Sequence, residues 1–286
     1  MPAGAVTTAW VLQHARSMAV ARLDALLLVA HHWRQSRTWL TAHDVDALPH
    51  AIVAPILNDM AARARGVPLA YLTGTQDFYG LTLHVTSDVL IPRPETEHLV
   101  DWALEVLACH HVDSDAPVVV DLGTGSGALA LAVKHACPRA VVHAVDASFA
   151  ALAVARSNAQ ALNLDVSFHR GDWWLGGWLD KVPRGIAVVV SNPPYVAPGD
   201  AHLAALQYEP ASALVAPANG LGDLLAIIST AANHLPAGAS LLLEHGHDQA
   251  PAVRTMLLQH PFVDVGTRLD LAGHPRCTGG RRSAAG

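Results

Sequence analysis

Two short segments of this chain carry residue types that can act on a ligand. The first, Ser191-Asn192-Pro193-Pro194-Tyr195, closes the apolar run from Ile186 to Val190. An amide or exocyclic amine nitrogen is planar, and its delocalised lone pair makes it a poor nucleophile. The Asn192 side-chain oxygen and the Pro193 carbonyl can each accept one hydrogen from such an NH2 group. Two adjacent prolines stiffen the turn, so both acceptors are set before a substrate arrives. Holding both hydrogens aims the nitrogen and favours positive charge building up on it. Tyr195 can pack against the flat group. The nitrogen becomes acidic only as its new bond forms, so no strong base and no Ser/His/Asp arrangement is expected.

The second segment is Asp121-Leu122-Gly123-Thr124-Gly125-Ser126-Gly127, which follows the apolar Val118-Val119-Val120. Glycines allow a tight turn and close approach of a ligand to main-chain amides at a helix start. Asp146 ends the next apolar run, 19 residues beyond Gly127, where a carboxylate can accept from two ribose hydroxyls. Together they describe an adenosine-containing ligand. Gly123, Gly125 and Ala128 also satisfy a dinucleotide fingerprint. Asp121 separates the two ligands: a carboxylate suits the sulfonium and ammonium of S-adenosylmethionine and repels a pyrophosphate. Gly171-Asp172-Trp173 follows a third strand, Val166 to His169. Asp172 can accept from an adenine amino group and Trp173 can cover the ring, with Trp174 and Trp178 as competing indoles.

The elements that must position these residues are legible from periodicity. Residues 1 to about 70 recur at helical spacing, with breaks near Ser36 and Leu48-Pro49 and a helix cap expected from Thr41 to Asp44. Residues 69 to 92 alternate around Gly74 and Gly80, a hairpin signature. A helix is expected from Thr96 to Ala108. From Pro117 strands and helices then alternate, which predicts a parallel-rich sheet with helices on both faces. The tail from Gly279 to Gly286 reads as mobile.

Composition narrows the function classes. Of 286 residues, 51% are hydrophobic and 15% charged, enough for one large and one small domain and unlike a disordered chain. A net charge of −6 argues against phosphate-neutralising nucleic-acid binding. Cys109, Cys137 and Cys277 form no zinc-spaced pair, which suggests free thiols in the cytoplasm. No metal site is expected: His245-Gly246-His247 lacks a carboxylate or thiolate partner. No signal peptide and no membrane span are read.

With these motifs in order, the sequence resembles the release-factor glutamine N5-methyltransferase family (PrmC/HemK) along nearly its whole length. The likeness includes Pro68 to Gly74, Phe78 to Leu81, Leu90-Ile91-Pro92-Arg93-Pro94-Glu95-Thr96-Glu97, the glycine turn, Asn192 to Tyr195, Tyr208-Glu209-Pro210, Glu244-His245-Gly246 and Asp270 to Gly273. The resemblance implies an α/β fold: a seven-stranded, Rossmann-like class I methyltransferase sheet with one antiparallel strand. A helical substrate-recognition domain (1–68) and a hairpin linker (69–95) would precede the catalytic domain (96–286). It implies that S-adenosylmethionine is held by Asp121, Gly123, Thr124, Gly125, Ser126, Gly127, Asp146, Asp172, Trp173 and Asn192. Asn192, Pro193, Pro194 and Tyr195 would hold the glutamine of a Gly-Gly-Gln tripeptide in class 1 peptide chain release factors. The expected enzyme is a cytoplasmic monomer with neither nucleic acid as substrate nor a membrane partner. Asp77, His245 and Asn219 depart from the family pattern without touching this chemistry.

Other readings meet specific obstacles. An N6-adenine nucleic-acid methyltransferase would use the same Asn192 logic but should carry a basic, aromatic-rich recognition region. A nicotinamide dehydrogenase leaves Asn192 to Tyr195 unexplained, and an idle cofactor-binding adaptor would lack the intact motifs. Arg93, Glu95, Glu209 and Glu244 are expected to form ordinary ion pairs and hydrogen bonds.

Overall fold

The computed structural model describes residues 5–110, 116–173, 179–182 and 185–284; Trp174 and Trp178 lie outside them. The chain divides into two compact units, residues 1–75 and 76–286.

The first unit is helical: α1 (Thr8–Ser17), α2 (Arg22–Trp33), α3 (Arg37–Ala42), α4 (His50–Ala64) and α5 (Leu69–Thr73). Its apolar stripes converge in a core containing Leu12, Leu28, Leu40, Ile56 and Met60. Arg63 of α4 pairs with Asp24 of α2 at 2.7 Å. The expected Thr41 cap is corrected here. Ser36 caps α3 by accepting from the Trp39 amide, and the Thr41 hydroxyl bonds back to the Arg37 carbonyl inside that helix. A side-chain oxygen at the true entry outcompetes a similar motif one turn later.

Next in the chain, β1 (Thr75–Phe78), which begins on the last residue of the first unit, and β2 (Leu81–His84) form a two-stranded sheet. Tyr79 and Gly80 both have positive φ, 49° and 75°, which matches the right-handed twist of tight hairpins. The remaining elements are α6 (Glu97–His110), β3 (Val118–Leu122), α7 (Ala128–Ala136), β4 (Val141–Asp146), α8 (Phe149–Leu162), β5 (Ser167–Arg170), β6 (Ile186–Ser191), α9 (Gly222–His234), β7 (Ser240–Glu244), α10 (Ala250–Gln259), β8 (Phe262–Leu269) and β9 (Pro275–Arg282).

Seven strands form one sheet in the order β5-β4-β3-β6-β7-β9-β8. All neighbours are parallel except those of β9, which runs antiparallel to both β7 and β8. The central strands β3, β6 and β7 are buried throughout, as expected for a parallel sheet covered on both faces. Residues of α6, α7 and the hairpin pack into one core cluster, and those of α9 and α10 into another. The tail expectation is corrected: Gly279 to Arg282 belong to β9, and Gly279 pairs with Leu242 of β7 and Gly266 of β8. Glycine and arginine content suggested mobility, but two flanking strands supply the ladder hydrogen bonds that order the segment.

Candidate active site

Strand direction brings both chemical motifs to one edge. In the sheet Leu122 of β3 is level with Val145 of β4 and with Ser191 of β6. Asp146 and Asn192 therefore stand at the carboxyl ends of the two strands on either side of β3, at the reversal of strand order where such sheets bind ligands. A cavity of about 440 Å³ opens there, within the range of small-molecule sites. Gly123, Thr124, Gly125, Ser126, Asp146, Asp172, Trp173, Asn192 and Pro194 all line it. Asp121, Gly127, Pro193 and Tyr195 do not.

The glycine turn is built from its own backbone. The amides of Gly123 and Thr124 both donate to the Val145 carbonyl, at 2.9 and 3.0 Å. The Gly125 amide donates to Asp146 Oδ2 at 2.9 Å, and Asp146 Oδ1 accepts from the Ser148 amide at 2.8 Å. Gly127 takes φ of 88° as it opens α7, and a Cβ there would meet Leu131 at 3.0 Å. The carboxylate of Asp146 is thus oriented by the backbone, with lone pairs left for further donors in the cavity. Burial raises its pKa, against the pull of the Ser148 and Gly125 amides.

Asp121 sits beneath the turn rather than in the cavity. Its Oδ2 accepts from the Thr124 hydroxyl at 2.6 Å and from the Ala130 amide at 3.2 Å, while Oδ1 is buried without a partner. Burial pushes its carboxyl up to about 7, against the Thr124 and Ala130 hydrogen bonds. An uncompensated acceptor beneath the floor fits a ligand carrying positive charge, because a nearby cation favours the ionised carboxylate. Trp173 closes the turn from the other side. Its ring leaves only 3.2 Å for a Cβ on Gly123, and its Nε1 donates to Asp223 at 3.1 Å.

The Asn192 side is built differently, from side chains distant in sequence. Asn192 Nδ2 donates to the Thr96 hydroxyl oxygen at 3.2 Å, which turns the Asn192 oxygen away from that contact. The Tyr195 hydroxyl lies 3.3 Å from Glu244 Oε1 at the end of β7. Burial lifts the Glu244 carboxyl to about 7, and the Tyr195 hydroxyl is pushed up by burial and by Glu244. Gln249 grips the same turn, donating to the Tyr195 carbonyl at 2.9 Å and accepting from the Gly246 amide. A Cβ on Gly220 would come within 2.1 Å of that carbonyl, so only glycine lets the 217–222 segment pass so close.

Glu209 is buried and holds the Pro-Arg-Pro segment in place, accepting from the Ile91 amide at 3.1 Å and pairing with Arg93. Arg93 also lines the cavity, so ion pairing and site lining coexist in it. Two contributors, Asn158 and Gln249, belong to none of the motifs read from the sequence. Asn158 of α8 bonds both backbone groups of His84 and the Ser126 carbonyl, tying the hairpin to the glycine turn. It is the one amide-bearing residue on a buried helix face otherwise made of Ala, Leu and Val, which is a usable signal. Gln249 lies in a segment with no comparable contrast, and Thr96, although part of the Leu90 to Glu97 motif, shows no sign there of its contact with Asn192. Among the described residues no group of three or more His, Cys, Asp or Glu side chains could hold a metal ion.

Comparison with known proteins agrees with this geometry. A family model described as methyltransferase small domain matches residues 96–230, and one described as PrmC N-terminal domain matches residues 10–74. A release factor glutamine methyltransferase of Bordetella pertussis is 45% identical over 263 residues, 91% of this chain and 94% of that protein. The Burkholderia pseudomallei protein of the same name is 45% identical, covering 93% and 94% of the two chains. Among solved structures, the hMettl16 catalytic domain aligns with a TM-score of 0.53 at 16% identity, over 79% of this chain and 82% of that one. A Thermus thermophilus 16S rRNA N2 G1207 methyltransferase aligns with a TM-score of 0.51 at 20% identity, over 73% and 49%. These two likenesses establish the fold alone. Identity and coverage to the curated relatives decide the family: this chain belongs to the release factor glutamine methyltransferases.

Proposed function

We propose that this protein transfers a methyl group from S-adenosylmethionine to the side-chain amide nitrogen of the glutamine in the Gly-Gly-Gln motif of class 1 peptide chain release factors. One observation carries the reading: Asn192, at the end of β6, lines the same cavity as the glycine turn and Asp146, with its amide nitrogen already engaged by Thr96. The side-chain oxygen is thereby left to accept from a substrate NH2 group. The names of the curated relatives support the release-factor substrate.

The residues divide the work. Gly123 to Gly127, with Asp146, Asp172 and Trp173, would hold the cofactor, which supplies an electrophilic methyl on a sulfonium when bound. Asp121 contributes negative charge from below rather than a contact in the cavity. Asn192 Oδ1 and the Pro193 carbonyl accept the two hydrogens of the glutamine amide, orient its nitrogen and favour the positive charge that develops on it. As the carbon–nitrogen bond forms and the methyl–sulfur bond breaks to leave a neutral thioether, the amide nitrogen would become acidic and give one of those protons to water, with no resident base required. Tyr195, anchored at Glu244, supports the turn from behind. Residues 1–68 would recognise the protein substrate, residues 69–95 would link, and residues 96–286 would catalyse, in a cytoplasmic monomer. No helix among the described residues is long and apolar enough to cross a membrane.

The test is transfer of labelled methyl from S-adenosylmethionine to purified release factor, with a Gly-Gly-Ala version of the factor and bulk nucleic acid as parallel acceptors. Label on the intact factor alone is expected. Label on nucleic acid alone would replace this reading by adenine methylation.

A further inference from the structure

We infer that Asp223, in the first turn of α9, is a positioning residue that holds the Trp173 indole in one pose on the cavity wall, where it can cover the adenine of the cofactor. The inference rests on the proposed cofactor site and deepens it: Trp173 would make the contact, and Asp223 would decide how the ring is presented.

A tryptophan ring does not select its own pose at the edge of a cavity. Its outer torsion joins a tetrahedral carbon to a planar one, and such torsions have broad wells. The indole has a single polar atom, Nε1, which can only donate. One acceptor in the right place therefore selects one orientation. Asp223 Oδ1 lies 3.1 Å from Trp173 Nε1, and that bond can form one way only, from indole to carboxyl oxygen.

The far end of the ring is fixed as well. A Cβ on Gly123 would meet Trp173 Cζ3 at 3.2 Å, so the six-membered edge lies against the glycine turn while the pyrrole nitrogen lies at α9. Gly123, Trp173 and Asp223 all line the cavity, and the ring spans from the first to the last. The same helix holds the main chain of Trp173, whose carbonyl accepts from the Thr230 hydroxyl at 3.1 Å. Asp223 and Thr230 stand about two turns apart on one face of α9, so ring and backbone are pinned to a single rigid element. That element is itself fixed at its start. The Gly222 amide donates to the Pro217 carbonyl at 2.9 Å, and a Cβ on Gly222 would come within 2.7 Å of the Pro217 ring. Asp223 is 6% exposed, which leaves its carboxyl group little room to leave the indole. A ring already held in place loses little further freedom when a ligand stacks on it, and the difference shows as affinity.

The experiment compares Asp223→Ala, which removes the acceptor, with Asp223→Asn, which keeps an oxygen at the same reach. Asp223→Ala is also combined with Trp173→Phe, where no Nε1 remains to be held. Two readouts are taken: the Kd for S-adenosylmethionine by isothermal titration, and the Trp173 indole 15N–1H signal of the cofactor-free protein, located by its loss in Trp173→Phe. Asp223→Ala is expected to weaken Kd about three- to tenfold, the scale of one side chain left to be ordered on binding, and to move the indole signal. Asp223→Asn should recover most of both changes. On the Trp173→Phe background, Asp223→Ala should change Kd by less than about twofold, because its effect runs through the indole. Equal losses on the two backgrounds would make Asp223 a structural acid only and overturn the inference. An unmoved indole signal, a wild-type Kd in Asp223→Ala, or an Asp223→Asn variant as impaired as Asp223→Ala would overturn it too. Asp223→Ser keeps a polar group in the first turn of α9 but ends short of the indole, and it carries the same test should Asp223→Ala not fold. Wild-type protein that does not bind S-adenosylmethionine would sink the cofactor reading instead, while the indole signal still reads the Asp223 contact.

Discussion

The two halves of the site are built by different means. On the glycine-turn side, the turn and Asp146 are fixed by main-chain amides: Gly123 and Thr124 to the Val145 carbonyl, Gly125 and Ser148 to the Asp146 carboxylate. On the Asn192 side, the turn is held by three side chains distant in sequence, Thr96, Glu244 and Gln249, and by the close-packed backbone at Gly220. The first construction rests mainly on the main chain, with Asp121 beneath the turn and Asn158 at the Ser126 carbonyl as its side-chain ties. The second is a network in which each member depends on the others, and such networks lose more than the sum of their pairs when cut. Under the proposed function, the former would hold the cofactor and the latter would aim one poorly nucleophilic nitrogen.

That contrast can be broken at its extremes. Asn192→Ala should reduce kcat by roughly 10²–10³, the usual cost of deleting a donor or acceptor aimed at developing charge, with cofactor affinity nearly intact. Isothermal titration of S-adenosylmethionine against both proteins checks the second half, and equal loss of rate and affinity would merge the two halves into one. Asp146→Ala should do the reverse: Kd for the cofactor weakens by about 10–100-fold, as expected for lost hydrogen bonds to a charged group, while kcat at saturation changes less. Unchanged affinity would remove Asp146 from the ribose contact. Gly220→Ala tests the network at a distance. A Cβ within 2.1 Å of the Tyr195 carbonyl, at a φ of 84°, must displace the turn. A loss of about 1–3 kcal/mol of stability is expected together with a lower kcat. A variant with wild-type kcat and Tm would mean that the turn is not held there.

The same contrast explains what could be read in advance. Gly123 to Gly127 and Asp146 were legible because a turn made of backbone needs particular residue types at fixed local spacing. Asn192 was legible because Pro193 and Pro194 mark a stiffened strand end. The parallel sheet followed from its apolar runs. The support of the turn was not legible: Thr96 lies 96 residues from Asn192 and Glu244 lies 49 from Tyr195, and no local pattern records a tertiary hydrogen bond. Asp121 was legible as an acid but not in its place. Its position ahead of Gly123 suggested a contact with the ligand, whereas Thr124 and the Ala130 amide draw the carboxylate under the turn. Thr41 and the Gly279 to Arg282 segment misled for a related reason, since local composition was outvoted by a better cap and by two flanking strands.

The displaced position of Asp121 yields the smallest and most specific expectation. Its carboxyl titrates near 3.8 in an unfolded chain and near 7 in the folded protein, because burial disfavours the charge. Between about pH 4 and pH 7 the folded state therefore keeps a proton that the unfolded state has released, so this group's contribution to stability falls as pH rises and levels off above about 7. Asp121→Asn keeps an oxygen to accept from Thr124 and Ala130 and removes the titration. Glu244 gives a slope of the same sign, and His143 and His245, both held neutral by burial, give the opposite one. Those groups are common to both proteins, so the difference between the two Tm-versus-pH curves isolates Asp121. Without cofactor, the Tm of Asp121→Asn relative to wild type should rise from pH 5 to pH 7.5. A parallel pair of curves would mean that Asp121 is already ionised beneath the turn, in which case the glycine turn too depends on a buried charge and the two halves of the site are more alike than their hydrogen bonds suggest.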